Sequence, residues 1–232
     1  MKLRLDRAAF ARADMVVFNS QAGHDSLIGV LKVPPARTAV INNGIRPFTE
    51  QVDDRRGIVC LARFLPPKRH DLLLDALSLM NAQERPTLHM YGMGTDSAEL
   101  HAEISRRQLA PHVQAFGETA DPMQAVATAE LAVLPSDHEG MPNVVLEAWA
   151  AGTPVLASNV SGVNQLVRHG VDGWLVENTP GDWADAISLL SGDHKLRERL
   201  VAGGRERLKV EFSMADCAAN WAGLYGSLCA WR

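Results

Sequence analysis

The chain has 232 residues, enough for one good-sized core or for one domain with appendages. Hydrophobic residues make up 47% and charged residues 22%, the balance of an ordinary soluble globular protein, and a formal net charge of −4 gives no bulk attraction to nucleic acid. Asp6, Arg7, Arg12 and Asp14 break up any apolar core of a signal peptide, and no run approaches the ~20 apolar residues of a membrane span. Cys60, Cys217 and Cys229 are odd in number and lack ligand or redox spacing, so they read as buried free thiols in a reducing compartment and the chain as cytoplasmic.

Short apolar runs alternate with helical patterns. Strands are expected at 14–18, 38–41, 57–62, 87–91, 113–116, 131–134, 154–157 and 173–176. Helices are expected between them at about 20–31, 69–82, 96–109, 121–128, 143–151, 162–168, 182–191 and 193–209. This rhythm predicts an α/β fold, a Rossmann-like parallel sheet with helices on both faces, and ligands in such sheets sit beyond the carboxyl ends of the strands. The final segment carries Trp221, Leu224, Tyr225 and Leu228 at i, i+3, i+4, i+7, an amphipathic helix. Its apolar stripe packs either on its own domain or on something absent from this chain.

The polar signals fall at strand-to-helix loops. Arg63 and Lys68 bracket a turn made by Pro66 and Pro67, and a planar fork beside a point charge suits a diphosphate. Gly92 and Gly94 follow one strand, and Gly117 and Glu118 follow the next, although Gly-x-Gly alone often only permits a tight turn. Ser136-Asp-His-Glu-Gly-Met-Pro-Asn-Val-Val-Leu-Glu147 is the most informative stretch. It places Glu139 in a loop and Glu147 inside a helix whose start, behind Gly140 and Pro142, offers free N–H groups to an anion. Val144, Val145, Leu146, Ala148 and Trp149 make that helix nearly apolar all round, so Glu147 is expected to be buried, at a cost unless donors meet it. No His/Cys/Asp cluster has metal-ligand spacing, no Asp-x-Asp is present, and the serines have no partner pattern for a nucleophilic triad. Of the histidines only His138, next to Glu139, lies where it could meet a substrate.

The segment 136–147 resembles the Glu-x7-Glu motif of retaining glycosyltransferases with the GT-B fold, family four. Segment 60–72 resembles that family's Gly-Arg-Leu-x-x-x-Lys-Gly signature, departing at Ala62 and Arg69, where the family has glycines. Segment 161–167 resembles Gly-x-Pro-Glu-(Ile/Leu)-Val with Asn164 and Gln165 in place of Pro-Glu, and 168–176 matches an architectural Gly-x-x-Gly-x-Leu-Val turn. The resemblance implies a UDP- or GDP-sugar donor and no metal or other cofactor. It places Arg63 and Lys68 on the departing diphosphate, Glu139 on the sugar and Glu147 on the ribose. The Gly140, Met141 and Asn143 amides would meet the β-phosphate or sugar. Gly92 and Gly94 would lie beside the nucleotide, and Gly117 and Glu118 would be at the base.

By the same resemblance, 1–45 is a remnant of an N-terminal domain and linker, 46–211 is the nucleotide-sugar domain, and 212–232 is a C-terminal crossover helix. The implied enzyme transfers a hexosyl unit to an acceptor hydroxyl, in polysaccharide or glycolipid assembly. Its acceptor domain would lie upstream or on a separate subunit, and peripheral membrane association would run through that domain. An uncovered stripe on 212–232 would favour self-association. A gene fragment, one subunit of a split transferase and a non-catalytic nucleotide-sugar module stay open. A dinucleotide-binding domain is disfavoured because no Gly-x-Gly-x-x-Gly opens a helix after an early strand.

Overall fold

The computed structural model describes residues 9–10, 12–52 and 54–230. Residues 1–8 of the expected remnant, with Asp6 and Arg7, and the final two residues of the expected crossover helix lie outside the described residues. Among the described residues eight strands form two sheets: β1 (Val16–Phe18) pairs in parallel with β2 (Thr38–Val40), and the remaining six make one parallel sheet. These six are β3 (Ile58–Leu61), β4 (Leu88–Tyr91), β5 (Val113–Ala115), β6 (Leu131–Leu134), β7 (Val155–Ser158) and β8 (Trp174–Val176). Helices follow in chain order: α1 (Gln21–Leu31), α2 (His70–Leu79), α3 (Ala98–Arg106), α4 (Pro122–Ala127), α5 (Asn143–Ala151), α6 (Val163–Leu166), α7 (Pro180–Gly192), α8 (His194–Glu211) and α9 (Met214–Ala230).

The larger sheet runs β5-β4-β3-β6-β7-β8, all parallel, so the chain winds outward from β3, returns, and continues from β6 on the other side. This is the doubly wound order, and its direction reverses between β3 and β6. Both central strands are buried on both faces, which is why they read as unbroken apolar runs rather than alternating ones. Alternate residues still divide between two cores. Ile58, Cys60, Leu131 and Val133 pack with Leu73, Leu77 and Trp183 of α2 and α7, whereas Val59, Ala132 and Leu134 pack with Val145, Leu146 and Trp149 of α5. A third, small cluster of Val16, Phe18, Leu31 and Val33 joins α1 to β1.

Element boundaries shift where side chains cap. Thr179 caps α7 through the Asp182 amide, so that helix starts at Pro180, two residues before its apolar pattern. The helix expected at 162–168 is a single turn, Val163–Leu166. The last helix begins at Met214: Phe212 belongs to the end of α8, buried and 6.0 Å from the Trp149 ring. Within α9, Trp221, Leu224 and Leu228 are half-buried, but Tyr225 is exposed and stacks on Trp221, so the covered stripe is narrower than its spacing implied.

The loops after β3 and β4 approach closely because Gly92 stands between them at φ +136°. A Cβ there would lie 2.3 Å from the Ala62 carbonyl oxygen. Gly92→Ala should therefore lower the stability measured by urea unfolding by about 1–3 kcal/mol, and an unchanged midpoint would contradict this approach.

Candidate functional site

The site grows from the two loops that flank the switch point. The β3–α2 loop is fixed to its neighbour by hydrogen bonds from the Ala62 amide to the Tyr91 carbonyl (2.9 Å) and from the Phe64 amide to the Met93 carbonyl (2.9 Å). Across the switch point it is stitched to the β6–α5 loop. The Arg69 amide donates to the Pro135 carbonyl, the Asp137 amide donates to the Pro67 carbonyl (both 3.0 Å), and Lys68 and Ser136 form an antiparallel bridge. Lys68 is thereby set opposite Glu139, and its ammonium pairs with Glu139 Oε1. The Ser136 hydroxyl donates to the same oxygen at 2.6 Å.

Both charges are largely withdrawn from water, with the Lys68 and Glu139 side chains 20% and 11% exposed. A pair in this setting needs both members, because removing one leaves the other uncompensated. Glu139 is also held from behind: its amide donates to the Ser161 carbonyl, and the bare Cα of Gly162 (φ +83°) packs against its carbonyl oxygen, where a Cβ would come within 2.0 Å. Ser136 is fixed through its amide on Ser158 Oγ (2.9 Å) and through its carbonyl, which accepts from Asn178 Nδ2 (2.9 Å).

In front of the pair opens a cleft of about 660 Å³. It is lined by Arg63, Lys68, Gly92, Glu118, Glu139, Met141, Asn143 and Glu147, so eight of the eleven residues singled out in the sequence meet at one surface. Arg63 is exposed at its edge. Three do not line it. Gly117 is buried, its amide on Thr95 Oγ1 (3.0 Å) and its carbonyl accepting from the Gly92 amide (2.7 Å). Gly94 lies beside Phe64, and Gly140 opens on a smaller hollow of about 180 Å³ towards Gly162. His138 is exposed and lies outside the cleft wall.

Glu147 is half-buried rather than buried. It shares a helical face with Val144, three residues back, and both line the cleft while Val145, Leu146, Ala148 and Trp149 face the core. Burial pushes its pKa up. Among the described residues no hydrogen bond or ion pair holds its carboxylate, so its acceptor oxygens are available to a ligand. At the start of α5 Pro142 supplies no side-chain cap, leaving the first-turn amides without a side-chain acceptor. Asn143 Oδ1 accepts from Asn43 Nδ2 at 2.6 Å, which ties the segment after β2 to this helix end.

Arg69, where the resembling signature has glycine, pairs with Asp71 and Asp137 (3.0 Å) and so braces the two loops from outside the cleft. Ser136, Asn43 and Asn178 carried no role in the sequence reading. Ser136 had a findable signal, the Ser-x-x-Glu spacing to Glu139 that also makes capping boxes. A second hollow of about 590 Å³, lined by Asp75, Ser78, Leu79 and Arg106, matches the cleft in size but lies on the helical flank, away from the strand ends.

This six-stranded doubly wound sheet, with its paired loops at the switch point, has the fold of the GT-B glycosyltransferases of known structure. Residues 42–207 match the family described as Glycosyl transferases group 1, and the chain belongs to that family. It is 30% identical to D-inositol 3-phosphate glycosyltransferase of Jonesia denitrificans, over 90% of this chain and 56% of that protein. With the lipopolysaccharide core biosynthesis glycosyltransferase LpsE of Rhizobium meliloti it shares 29% identity over 69% of this chain and 46% of the relative. The crystal structure of Anabaena HepE in complex with UDP and glucose superposes with a TM-score of 0.87 at 26% identity, covering 97% of this chain and 66% of that one. The chain thus spans about half the length of the curated relatives it matches.

The raised pKa of Glu147 has a consequence for stability. Above the usual value of 4.5 the native state keeps a proton that the unfolded chain has lost, so stability falls as pH rises from 4.5 through the raised native pKa. Glu147→Gln lacks this penalty. In ligand-free thermal melts the variant should gain on wild type as pH rises through that window and hold its advantage above it. A difference that is flat with pH would contradict the unpaired carboxylate.

Proposed function

We propose that this chain is the donor-binding half of a retaining, metal-independent hexosyltransferase, with a UDP-sugar as donor ahead of a GDP-sugar. The observation that carries the reading is the Lys68–Glu139 pair at the switch point, facing a cleft whose far wall offers the free carboxylate of Glu147 and the uncapped start of α5. The preference for UDP draws on the HepE complex with UDP and glucose.

In this reading the ribose hydroxyls donate to Glu147, relieving the cost of its burial. The diphosphate lies against Lys68, Arg63 and the first amides of α5, with the Met141 and Asn143 backbone beside it. Glu139 accepts from the sugar hydroxyls, and Ser136 fixes its orientation. Glu118 lies at the base end, beyond Gly92. As the bond from the anomeric carbon to the diphosphate oxygen breaks, Lys68 and Arg63 stabilise the charge that builds on that oxygen. The acceptor oxygen bonds to the anomeric carbon on the same face, and its proton leaves with the diphosphate.

The acceptor site belongs, in this proposal, to a further domain or subunit. The name of the lipopolysaccharide core biosynthesis relative supports glycolipid or polysaccharide assembly as the setting. Among the described residues no helix is long and apolar enough to cross a membrane. The three cysteines are free thiols, as a cytoplasmic site of action requires in this proposal, but only Cys60 is buried; Cys217 is half-buried and Cys229 exposed.

Titration calorimetry in EDTA should show UDP or GDP binding to the purified chain. Lys68→Ala should weaken it by roughly 1.5–3 kcal/mol, about ten- to a hundredfold. Glu147→Gln should weaken the nucleotide more than free diphosphate, since only the nucleotide carries the ribose. Equal loss for both ligands would make Glu147 structural, and unchanged affinity in both variants would remove the site. With radiolabelled UDP- or GDP-sugar, the 232 residues alone should bind the donor without transferring the sugar, because attack needs an acceptor held in place and water excluded. Robust retaining transfer by these residues alone would refute the division of labour.

A further inference from the structure

Behind the loop that carries Arg63 and Lys68 lies a polar side chain outside the cleft. His70 opens α2 and is 1% exposed. Its Nδ1 is 3.2 Å from the Lys68 carbonyl oxygen, which also accepts from the His70 amide at 3.0 Å. A carbonyl only accepts, so Nδ1 must carry the proton. The ring meets Phe64, the residue after Arg63, edge-on at 5.4 Å. Its Nε2 is buried and has no hydrogen-bond partner. Burial lowers the pKa of the ring, while the nearby carbonyls of Lys68 and Ala62 and the charge of Asp71 pull it back up; only the Lys68 carbonyl meets a ring nitrogen in hydrogen-bond geometry.

A neutral imidazole has one proton to give, and here it goes to Lys68. The orphaned Nε2 is then a net cost, so for packing alone a leucine would serve this pocket at least as well. What leucine could not do is give the Lys68 carbonyl a second donor beside the residue-70 amide, on a peptide whose N–H side the Arg69 amide already ties to Pro135. The Lys68 amide donates to the Leu65 carbonyl (2.9 Å), and with its carbonyl held by His70 the peptide orientation on both sides of the Lys68 Cα is set. That orientation directs the side chain across the switch point to Glu139.

We propose that His70 is a positioning residue for donor binding, acting through its Nδ1–H on the Lys68 carbonyl to aim the Lys68 ammonium at the diphosphate. This rests on the reading of the cleft as a nucleotide-sugar site. His70 itself touches no ligand.

The test is UDP titration, with thermal melts, on His70→Leu, His70→Asn, Lys68→Ala and the Lys68→Ala/His70→Leu double variant. His70→Leu should weaken UDP roughly five- to tenfold. His70→Asn, whose amide donor can reach the same carbonyl, should stay within about twofold of wild type. In the Lys68→Ala background the leucine should change affinity by less than about twofold, because its effect runs through Lys68. No loss in His70→Leu, equal losses in both backgrounds, or an asparagine as harmful as leucine would each overturn the proposal. Wild-type affinity in Lys68→Ala would instead overturn the reading of the site beneath it. The ¹⁵N spectrum of the His70 imidazole in the wild-type chain gives a readout that does not depend on the variants folding. An Nδ1–H tautomer at neutral pH supports the assignment, and an Nε2–H tautomer overturns it.

Discussion

The ion pair between Lys68 and Glu139 joins residues 71 positions apart, and nearly everything distinctive in this structure serves to bring them together. Neither charge could be held so far from water alone. Each is tolerated because the other is there, and because Ser136 gives the shared carboxylate oxygen a second donor. The pair sits where a doubly wound sheet must leave a gap, between the loops that depart from β3 and β6 in opposite directions. Charge is therefore concentrated where the winding of the sheet leaves a cleft.

The rest of the molecule makes that gap rigid. Unbroken apolar strands anchor both loops in a core from which they cannot slide, since a one-residue slip would exchange the faces of β3 or β6. Main-chain hydrogen bonds from Arg69 to Pro135 and from Asp137 to Pro67 then fix one loop against the other. Glycines at 92 and 162 admit backbone where a side chain would collide. The Asn43–Asn143 contact extends this frame to the segment after β2. In one respect the site is not relaxed: burial raises the pKa of Glu147, and its carboxylate has no partner among the described residues.

Much of this was legible in the sequence. The alternation of short apolar runs with helical patterns located the eight strands of the described residues, most plainly the central ones, which are covered on both faces and read as unbroken apolar runs. Arg63, Lys68 and Glu139 stood out as charges in strand-end loops beside prolines and glycines, and Glu147 as a carboxylate in an otherwise apolar helix. Burial was harder to read. Glu147 lies among apolar neighbours in sequence, yet the cleft exposes one face of α5, and only the relation of that helix to the β3–α2 loop shows which face. Tyr225 fails in the opposite sense, since spacing alone cannot say how wide a stripe its partner covers. Ser136, Asn43 and Asn178 act through long-range contacts that no local pattern reports, and Gly94, Gly117 and Gly140 turned out to shape loops beside the cleft rather than line it.

The central claim is that one cleft at the switch point holds a nucleotide diphosphate between Lys68, the start of α5 and Glu147. Amide chemical-shift mapping during titration with UDP in EDTA tests it most directly. The largest changes are expected in residues 62–69, 118–119 and 139–147, on both sides of the switch point at once. Changes confined to the flank around Asp75, Ser78 and Arg106, or to only one of the two loops, would contradict it.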